Sequence, residues 1–392
     1  MPLELHPEAI LPVDAHQATL IGRAWLPEPA AGPAVVLVRG DDVIDISAFA
    51  PTVSALLEKP GLVQELATLE GPLIGSVSAL LANSSADRRD PGQPYFLTPI
   101  DLQAIKACGV TFVVSMLERV IEEQAKGDPQ AAASIRETIN AEIGSDLAAV
   151  VPGSAAADRL KQALQQRGVW SQYLEVGIGP YAEVFTKAQP MSAVGIGAEI
   201  GIHPESTWNN PEPEVVLVVN SSGVIVGVTL GNDVNLRDFE GRSALLLGRA
   251  KDNNASTALG PFIRILDDNF SLDDVRNLEL AMKVAGDDGF VLSDGSNMSK
   301  ISRDPADLVK QTISRNHQYP DGLVLFTGTL FAPTYDRDAA GMGFTHKIGD
   351  IVTISTPRLG ALINRVNVTV AAPPWTFGTG QLMKNLAQRG LL

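Results

Sequence analysis

Short hydrophobic runs separated by turn-forming residues dominate the second half of the chain. Val215 to Val219 form one such run, the turn Asn220-Ser221-Ser222-Gly223 follows it, and a second run extends from Val224 to Leu230. Two apolar runs joined by a short polar turn with glycine predict a β-hairpin. The runs Leu323–Phe326 and Leu359–Val366 indicate further strands, so this half of the chain is predicted to be rich in β-structure.

The N-terminal part mixes strand and helix signals. Apolar runs at 34–38 and 43–46 predict two strands, and Pro51 marks the start of a short helix. The polar stretch 84–94 is rich in turn-forming residues and is a candidate boundary. We therefore expect a small N-terminal α+β domain over residues 1–95.

Residues 96–392 are predicted to form a second, larger domain. Thr98 followed by Pro99 has the pattern of a helix N-cap, with Asp101 in the first turn, which predicts a helix that ends at Gly109. Residues from about 115 to 168 are rich in Ala, Gln and Glu and predict a helical insertion. The whole chain is thus expected to be an α+β protein in which β-structure predominates.

Composition narrows the class of protein. The 392 residues carry a formal net charge of −15, which argues against binding to nucleic acid because its phosphates would be repelled. Cys108 is the one cysteine, so no intramolecular disulfide can form, which fits a reducing compartment. No apolar run approaches the ~20 residues that span a bilayer, and the N-terminus lacks the pattern of a signal peptide. We therefore expect a cytoplasmic protein that does not associate with membranes.

Three acidic residues lie where the predicted hairpin would bring them together. Glu212 and Glu214 are two positions apart, so on a strand their side chains point to the same face. Asp233 follows the returning strand and adds a third carboxylate. Like charges this close repel one another, and a hard cation removes that repulsion, with Mg²⁺ expected before Mn²⁺ or Ca²⁺. The alternative for Glu212 and Glu214 is the solvent-exposed face of an edge strand.

Four further segments carry candidate chemistry. Lys251 lies in a polar loop after the hairpin, where an ammonium beside a dication stabilises a developing oxyanion; a surface lysine is the alternative. Lys187 follows an apolar strand, and Arg237 is placed to brace the metal loop through a carboxylate. The turn Thr327-Gly328-Thr329 offers amides and hydroxyls to a substrate carboxylate. No two of the five histidines have the spacing of a zinc site.

Taken together, these motifs resemble those of the fumarylacetoacetate hydrolase superfamily, over roughly Tyr173 to the C-terminus. The matching residues include Glu212-Pro213-Glu214, Gly231 to Asp238, Lys251, Thr327-Gly328-Thr329, and Gly349-Asp350 with Asn364-Arg365-Val366. The resemblance implies a mixed β-sandwich roll, a divalent metal held by Glu212, Glu214 and Asp233, and a homodimer or a dimer of dimers. It also implies a 2-oxo acid substrate contacted by Lys251 and Thr329, with Gly328, Lys187 and Arg237 as further binding residues.

One departure from the family pattern separates two reactions. Hydrolases of this superfamily carry an Asn-Tyr-x-x-His-x-x-Glu motif, and the corresponding run here, Thr111 to Glu118, has Ser115 in place of the histidine. A missing general base costs hydrolysis ~10²–10⁴-fold. The chain is more similar to the branch that dehydrates 2-keto-3-deoxy-pentonates. We therefore predict a Mg²⁺-dependent dehydratase in which Glu118 or Lys251 is the base and Ser115 and Thr329 orient the substrate.

Two alternatives stay open at this point. The first is hydrolysis of a C–C bond in a β-diketone or acylpyruvate, with Glu118 and solvent replacing the histidine. The second is a metal-dependent sugar-acid binding protein without turnover.

Overall fold

The computed structural model describes residues 3–29, 31–132, 135–136, 150–166, 168, 170–331, 333, 335–339 and 343–392. The central part of the predicted helical insertion, residues 137–149, lies outside the described residues.

The elements are numbered in chain order. The strands are β1 (Leu20–Leu26), β2 (Gly32–Arg39), β3 (Asp42–Asp45), β4 (Leu73–Ser76), β5 (Tyr95–Phe96), β6 (Ala104–Gly109), β7 (Glu183–Ala188), β8 (Glu199–Ile202), β9 (Asn209–Asn210), β10 (Pro213–Val219), β11 (Ile225–Asp233), β12 (Asn235–Leu236), β13 (Thr257–Ile265), β14 (Glu279–Ala285), β15 (Val291–Asn297), β16 (Leu323–Phe326), β17 (Ile351–Thr356) and β18 (Gly360–Val368). The α-helices are α1 (Pro7–Ile10), α2 (Val53–Leu57), α3 (Leu62–Thr68), α4 (Val77–Ser84), α5 (Val113–Ala125), α6 (Ala155–Gln166), α7 (Gln172–Ile178), α8 (Arg237–Arg242), α9 (Leu247–Lys251), α10 (Leu272–Val275), α11 (Pro305–Thr312) and α12 (Thr379–Gln388).

A large mixed sheet organises the described chain. Its strand order is β4-β3-β2-β1-β13-β11-β10-β16-β6-β7, with β5 paired to β1. The pairing of β1 with β13 means that strands from residues 1–95 continue the sheet formed by the second half. The domain division near residue 95 stays a prediction.

The predicted hairpin forms as β10 and β11, which pair in antiparallel register with Pro213 opposite Asn232. Both faces of β10 are buried, as the alternation of strand side chains requires of an apolar run in the middle of a sheet. Val215 and Leu217 face the core between this sheet and a second, five-stranded sheet ordered β15-β14-β17-β18-β8. Val216 and Val218 face the opposite core, which α2 and α3 help to form.

The predicted helix from Thr98 to Gly109 is wrong, because residues 104–109 form β6 between β16 and β7. The acidic residue expected in the first turn of that helix, Asp101, instead accepts the amides of Val53 and Ser54 at 2.6 and 3.0 Å. Asp101 therefore satisfies the first amides of a different helix, α2. Asp101 does cap a helix, but the amide of Val53 that it accepts lies 48 residues away along the chain.

The helical insertion is present in its described parts. Helices α5, α6 and α7 share an apolar cluster that includes Met116, Val120, Leu164 and Leu174. Because α5 also packs against α8, the insertion rests directly on the segment that follows the acidic hairpin. Within the described residues, no helix has the length and apolarity needed to cross a membrane.

Replacing Asp101 by alanine is expected to lower the free energy of unfolding by about 2–4 kcal/mol. Asp101 is buried, caps α2 and lies 3.8 Å from the buried guanidinium of Arg23, so its loss leaves donors and a charge unpaired. Urea denaturation measures the change, and the exposed Glu65→Ala serves as the matched control. Equal stability of the two variants would contradict this account of β6 and α2.

Candidate metal centre

The strand register brings three carboxylates to one point at the end of the hairpin. The amide of Asp233 donates to the carbonyl oxygen of Glu212 at 3.0 Å, and the amide of Glu212 donates to the side chain of Asn232 at 3.1 Å. Glu214 lies two positions further along β10, on the same face as Glu212. One ligand oxygen from each of Glu212, Glu214 and Asp233 lies within 4.8 Å of the other two, and all three residues are buried. The predicted convergence is therefore what the structure shows.

Cationic side chains surround two of the three carboxylates. Lys251 Nζ lies 2.5 Å from Glu212 and 3.0 Å from Asp233. Arg119, on α5, donates to the other oxygen of Glu212. Lys187 Nζ lies 3.2 Å from Asp233 and donates to the carbonyl oxygens of Lys251 and Ser256. Lys187 thus fixes the segment that follows Lys251, as well as neutralising Asp233.

The third carboxylate, Glu214, has a different electrostatic environment. It accepts a hydrogen bond from the amide of Gly328 at 2.7 Å. Burial, together with the negative charges of Asp233 and Glu212, raises the pKa of Glu214 well above its ordinary value. Burial also opposes the ionisation of Glu212, but Lys251 and Arg119 outweigh it and lower the pKa of that carboxyl. Glu214 is therefore the carboxyl group of the triad whose ionised form a bound cation would stabilise.

A divalent cation fits these residues. Five carboxyl groups and two cationic side chains line the cavity around the triad, so acids are in excess. Oxygen ligands from carboxylates are the set that Mg²⁺, Mn²⁺ and Ca²⁺ prefer. Glu212, Glu214 and Asp233 are the residues that would hold the ion.

The cavity beside the triad has a volume of about 20 Å³, which is space for about one water molecule. It is lined by Cys108, Gly109, Val110, Ser115, Arg119, Glu183, Phe185, Glu212, Glu214, Asp233, Glu240, Lys251 and Thr329. Arg119 and Lys251 occupy much of the space between the acids. A ligand larger than a water molecule therefore requires these two side chains, or helix α5, to move when it binds.

Two acidic residues that the sequence did not single out border the cavity. Glu183, at the start of β7, pairs with Gly109 on β6, and a Cβ at Gly109 would lie 1.9 Å from a Glu183 carboxylate oxygen. Burial raises the pKa of Glu183. Glu240, on α8, lies 3.2 Å from Arg119, and burial raises its pKa to about 7. The available signal for Glu183 was a single acid directly before the apolar pair Val184-Phe185 in β7.

Arg119, rather than the predicted Glu118, is the charged residue of α5 that lines the cavity. Ser115 and Arg119 are four residues apart and so lie on one face of α5, and both line the cavity. Glu118 is not among the described residues that line it. Arg136 donates two hydrogen bonds to Glu118, at 2.8 and 2.7 Å. Burial opposes its ionisation, but Arg136 and Arg237 outweigh that effect and lower the pKa of Glu118.

The predicted substrate-binding residues divide into two groups. Thr329 lines the cavity, and its hydroxyl donates to the carbonyl oxygen of Phe331. Lys187, Gly328 and Arg237 are not among the described lining residues. Gly328 supports Glu214 through its amide, and Arg237 is buried with its Nε 2.8 Å from Glu122. The bracing role of Arg237 and the substrate-binding roles of Lys187 and Gly328 stay predictions.

Comparison with known families identifies the part of the chain that carries this site. Residues 175–367 match the model of the fumarylacetoacetate (FAA) hydrolase C-terminal family. The matched segment includes the three carboxylates and Lys251.

Two relatives are 34% identical to this chain over the residues that align. A protein of Haloferax volcanii named "Probable 2-keto-3-deoxyxylonate dehydratase" aligns over 194 residues, 50% of this chain and 63% of the relative. A "2-dehydro-3-deoxy-D-arabinonate dehydratase" of Saccharolobus solfataricus aligns over 188 residues, 47% of this chain and 58% of the relative. The chain thus covers less than two thirds of the length of either relative.

Solved structures confirm the predicted fold class. The apo form of a 2-keto-3-deoxy-D-arabinonate dehydratase superposes with a TM-score of 0.59 at 21% identity, covering 89% of this chain and 99% of that chain. A structure of 2-keto-3-deoxy-D-arabinonate dehydratase complexed with magnesium and 2,5-dioxopentanoate gives 0.58 at 21% identity and the same coverage. At this level of identity the likeness establishes the fold.

Replacing Glu214 by glutamine is expected to stabilise the metal-free protein at neutral pH. The unfolded chain ionises this carboxyl near its ordinary pKa of 4.5, whereas burial and the neighbouring carboxylates raise its pKa in the folded protein, which therefore keeps the proton to a higher pH. Stability is therefore lost as pH rises above 4.5, and the variant avoids that loss. Thermal unfolding in EDTA measures the difference, with Glu279→Gln, on an exposed position of β14, as the control.

The same variant is expected to lose stabilisation by Mg²⁺. For the unaltered protein, Mg²⁺ at 100 times its Kd adds about 2.7 kcal/mol to the free energy of unfolding. If Mg²⁺ raises the free energy of unfolding of Glu214→Gln by the same amount, Glu214 is not a ligand of the ion.

Proposed function

We propose that the protein is a Mg²⁺-dependent dehydratase that converts a 2-keto-3-deoxy-pentonate to 2-oxoglutarate semialdehyde. The observation that carries the proposal is the buried triad, with Lys251 and Glu183 in the wall of the same cavity. The names of the two relatives support the substrate class. Support also comes from the superposed dehydratase, since its 2,5-dioxopentanoate is the same compound as 2-oxoglutarate semialdehyde.

The residues of the triad define the binding end of the site. Glu212, Glu214 and Asp233 hold the divalent cation, which when bound supplies Lewis-acid polarisation of the 2-oxo group and so makes the C3 protons more acidic. Ser115 and Thr329 border the same cavity with hydroxyl groups and are placed to orient the substrate hydroxyls and carboxylate.

Lys251 is the residue that we assign as the base at C3. Burial opposes its charge, but Asp233 and Glu212 outweigh that effect and raise the pKa of the ammonium in the metal-free protein. Lys251 shares both carboxylates with the cation site. A cation held by those carboxylates would place a positive charge beside the ammonium, which would lower the pKa of Lys251 and favour its free amine. The free amine then accepts one C3 proton.

Glu183 is the residue that we assign as the acid for the leaving hydroxyl. Its raised pKa keeps a proton on the carboxyl group at a higher pH than usual, and an acid at this point turns the C4 hydroxyl into water as the C4–O bond breaks. Elimination leaves a C3=C4 double bond conjugated with the 2-oxo group. A proton lost from C5 and one gained at C3 give the C4=C5 enol, and tautomerisation of that enol gives the aldehyde. Loss of the C3 proton and the C4 hydroxyl accounts for one water, as dehydration requires.

The cavity favours dehydration over hydrolysis of a C–C bond. Hydrolysis needs a base that activates water, and the described residues lining the cavity include no histidine. Ser115, at the position of the family's histidine, donates its hydroxyl to the carbonyl oxygen of Phe112. A cytoplasmic location and a homodimer or dimer of dimers remain predictions.

A substrate panel tests the proposed reaction. The protein is incubated with 2-keto-3-deoxy-D-xylonate, the arabinonate epimer and an acylpyruvate, each with Mg²⁺ and with EDTA. We expect a five-carbon aldehyde acid from a deoxy-keto pentonate in Mg²⁺ and none in EDTA, measured by mass spectrometry of trapped aldehyde. Cleavage of the acylpyruvate without dehydration would make the protein a hydrolase, and binding of the pentonates without turnover would make it a binding protein.

Two glutamate variants distinguish the acid that lines the cavity from the one that does not. Glu183→Gln is expected to lower kcat by about 10²–10⁴-fold, since the proton donor is lost. Glu118→Gln is expected to change kcat by less than about tenfold, because Glu118 pairs with Arg136 outside the cavity. Mg²⁺ affinity, measured by calorimetry, should be similar in both variants. A decrease in kcat of more than about tenfold in Glu118→Gln would indicate that Glu118 is the acid or the base.

The pH dependence of kcat gives an independent measure of Glu183. Activity should fall as pH rises through the raised pKa of Glu183, because the acid then loses its proton. The descending limb should be absent from the residual activity of Glu183→Gln. If kcat of the variant still falls at high pH as in the unaltered protein, a group other than Glu183 causes that fall.

A further inference from the structure

A second cavity, of about 260 Å³, lies apart from the metal centre, between the N-terminal strands and the C-terminal segment. Aromatic rings form much of its wall. Trp25 lies 6.5 Å from Tyr95 in a stacked arrangement and 5.4 Å from Phe377 in an edge-to-face arrangement, measured between ring centroids. Trp375 lines the cavity and is 47% exposed. Flat rings at these spacings are suited to contact another planar group.

Two buried polar atoms in this wall have no hydrogen-bond partner among the described residues. They are the hydroxyl of Thr98 and the Nε of Arg89. Thr98 is 6% exposed, and the guanidinium of Arg89 lies 4.0 Å from the Tyr95 ring centroid while another of its nitrogens donates to Ser84. A buried donor without an acceptor costs free energy, so these atoms are suited to a ligand that brings acceptors.

The backbone of the cavity wall is held in an uncommon conformation at two places. Met191 and Ala255 have φ angles of +70° and +57°, which disfavour side chains larger than glycine and are frequent at functional sites. In the described chain, Val110 in the wall of the metal cavity also has a positive φ, of +47°. Such strain persists where the surrounding structure enforces it.

One short segment contributes to both cavities. Lys251 lines the metal cavity, and Asn254 and Ala255 line the aromatic one. The side chain of Asn254 donates to the carbonyl oxygens of Thr369 and Pro373 and accepts the amide of Trp375, so it ties the C-terminal segment to this loop. A ligand that contacts the loop at Asn254 is therefore three residues from Lys251.

We propose that the aromatic cavity is an effector site for a small planar aromatic carboxylate, which stacks on the rings and supplies acceptors to Arg89 and Thr98. The charge-assisted bond to Arg89 selects an acid, and the volume suits a molecule of one or two rings. Bound ligand acts on turnover through the segment 252–256. The binding site does not depend on the proposed dehydratase activity, whereas the effect on turnover rests on it.

Calorimetric titration of the full chain tests binding. The probes are benzoate and 2-naphthoate, with cyclohexanecarboxylate as the saturated counterpart, each titrated with Mg²⁺ and with EDTA. We expect the aromatic acids to bind equally in both buffers and the saturated acid to bind at least tenfold more weakly. Absence of binding by both aromatic acids overturns the proposal. Binding that disappears in EDTA also overturns it, because the ligand then occupies the metal centre.

Matched variants place the ligand in the cavity. Arg89→Met should weaken binding of the aromatic acids at least tenfold, and the nearly isosteric Thr98→Val severalfold. Arg315→Met, at an exposed position that does not line the cavity, should leave affinity unchanged. Circular dichroism checks that each variant is folded, and Thr98→Val decides the matter should Arg89→Met fail to fold. Unchanged affinity in the folded variants overturns the assignment.

Turnover of the deoxy-keto pentonate at saturating benzoate tests the effector role. A change in kcat of at least twofold, absent from Arg89→Met, supports it, whereas equal kcat with and without bound benzoate overturns it. Failure of the proposed dehydratase would appear as no turnover in either condition, with the calorimetric result still deciding the binding site.

Discussion

Mutual repulsion among buried acids is the constraint on which the metal centre depends. Three carboxylates are held within 4.8 Å of one another by a single hairpin register. That arrangement is tolerable because Lys251, Lys187 and Arg119 reach the same point from α9, β7 and α5. Each cation also serves a second purpose, since Lys187 fixes the loop, Arg119 connects the insertion, and Lys251 lines the cavity. The supporting structure and the chemistry are therefore parts of one electrostatic arrangement.

The hairpin and its acids were predictable because their determinants are local. Alternation along β10, the turn at 220–223 and the position of Asp233 all follow from a few adjacent residues. The metal triad follows from that register with no reference to the remainder of the chain. The fold class was equally accessible, since the family motifs extend over the second half of the sequence.

The parts that were missed depend on contacts between distant residues. Asp101 had the local signature of a helix start but caps α2 from outside it, and residues 104–109 joined the sheet because β16 and β7 offer open edges to them. Glu183 reaches the site through a strand pairing with Gly109, which has no side chain to obstruct the carboxylate. Glu118 was chosen from its motif position, whereas the geometry of α5 turns its neighbour Arg119 toward the acids. The helical periodicity of α5 could be read from the sequence. Which face of the helix points toward the acidic residues could not.

The hairpin register also has a consequence for the order in which the site is assembled during synthesis. All three acids leave the ribosome within one short, locally paired segment, whereas the amide of Gly328 that supports Glu214 is made more than a hundred residues later. Pairing between neighbouring residues forms faster than pairing between distant ones. In a nascent chain the three carboxylates are therefore exposed to solvent before the strands that bury them have been made. Divalent ions in solution can screen their mutual repulsion until β16 has been synthesised.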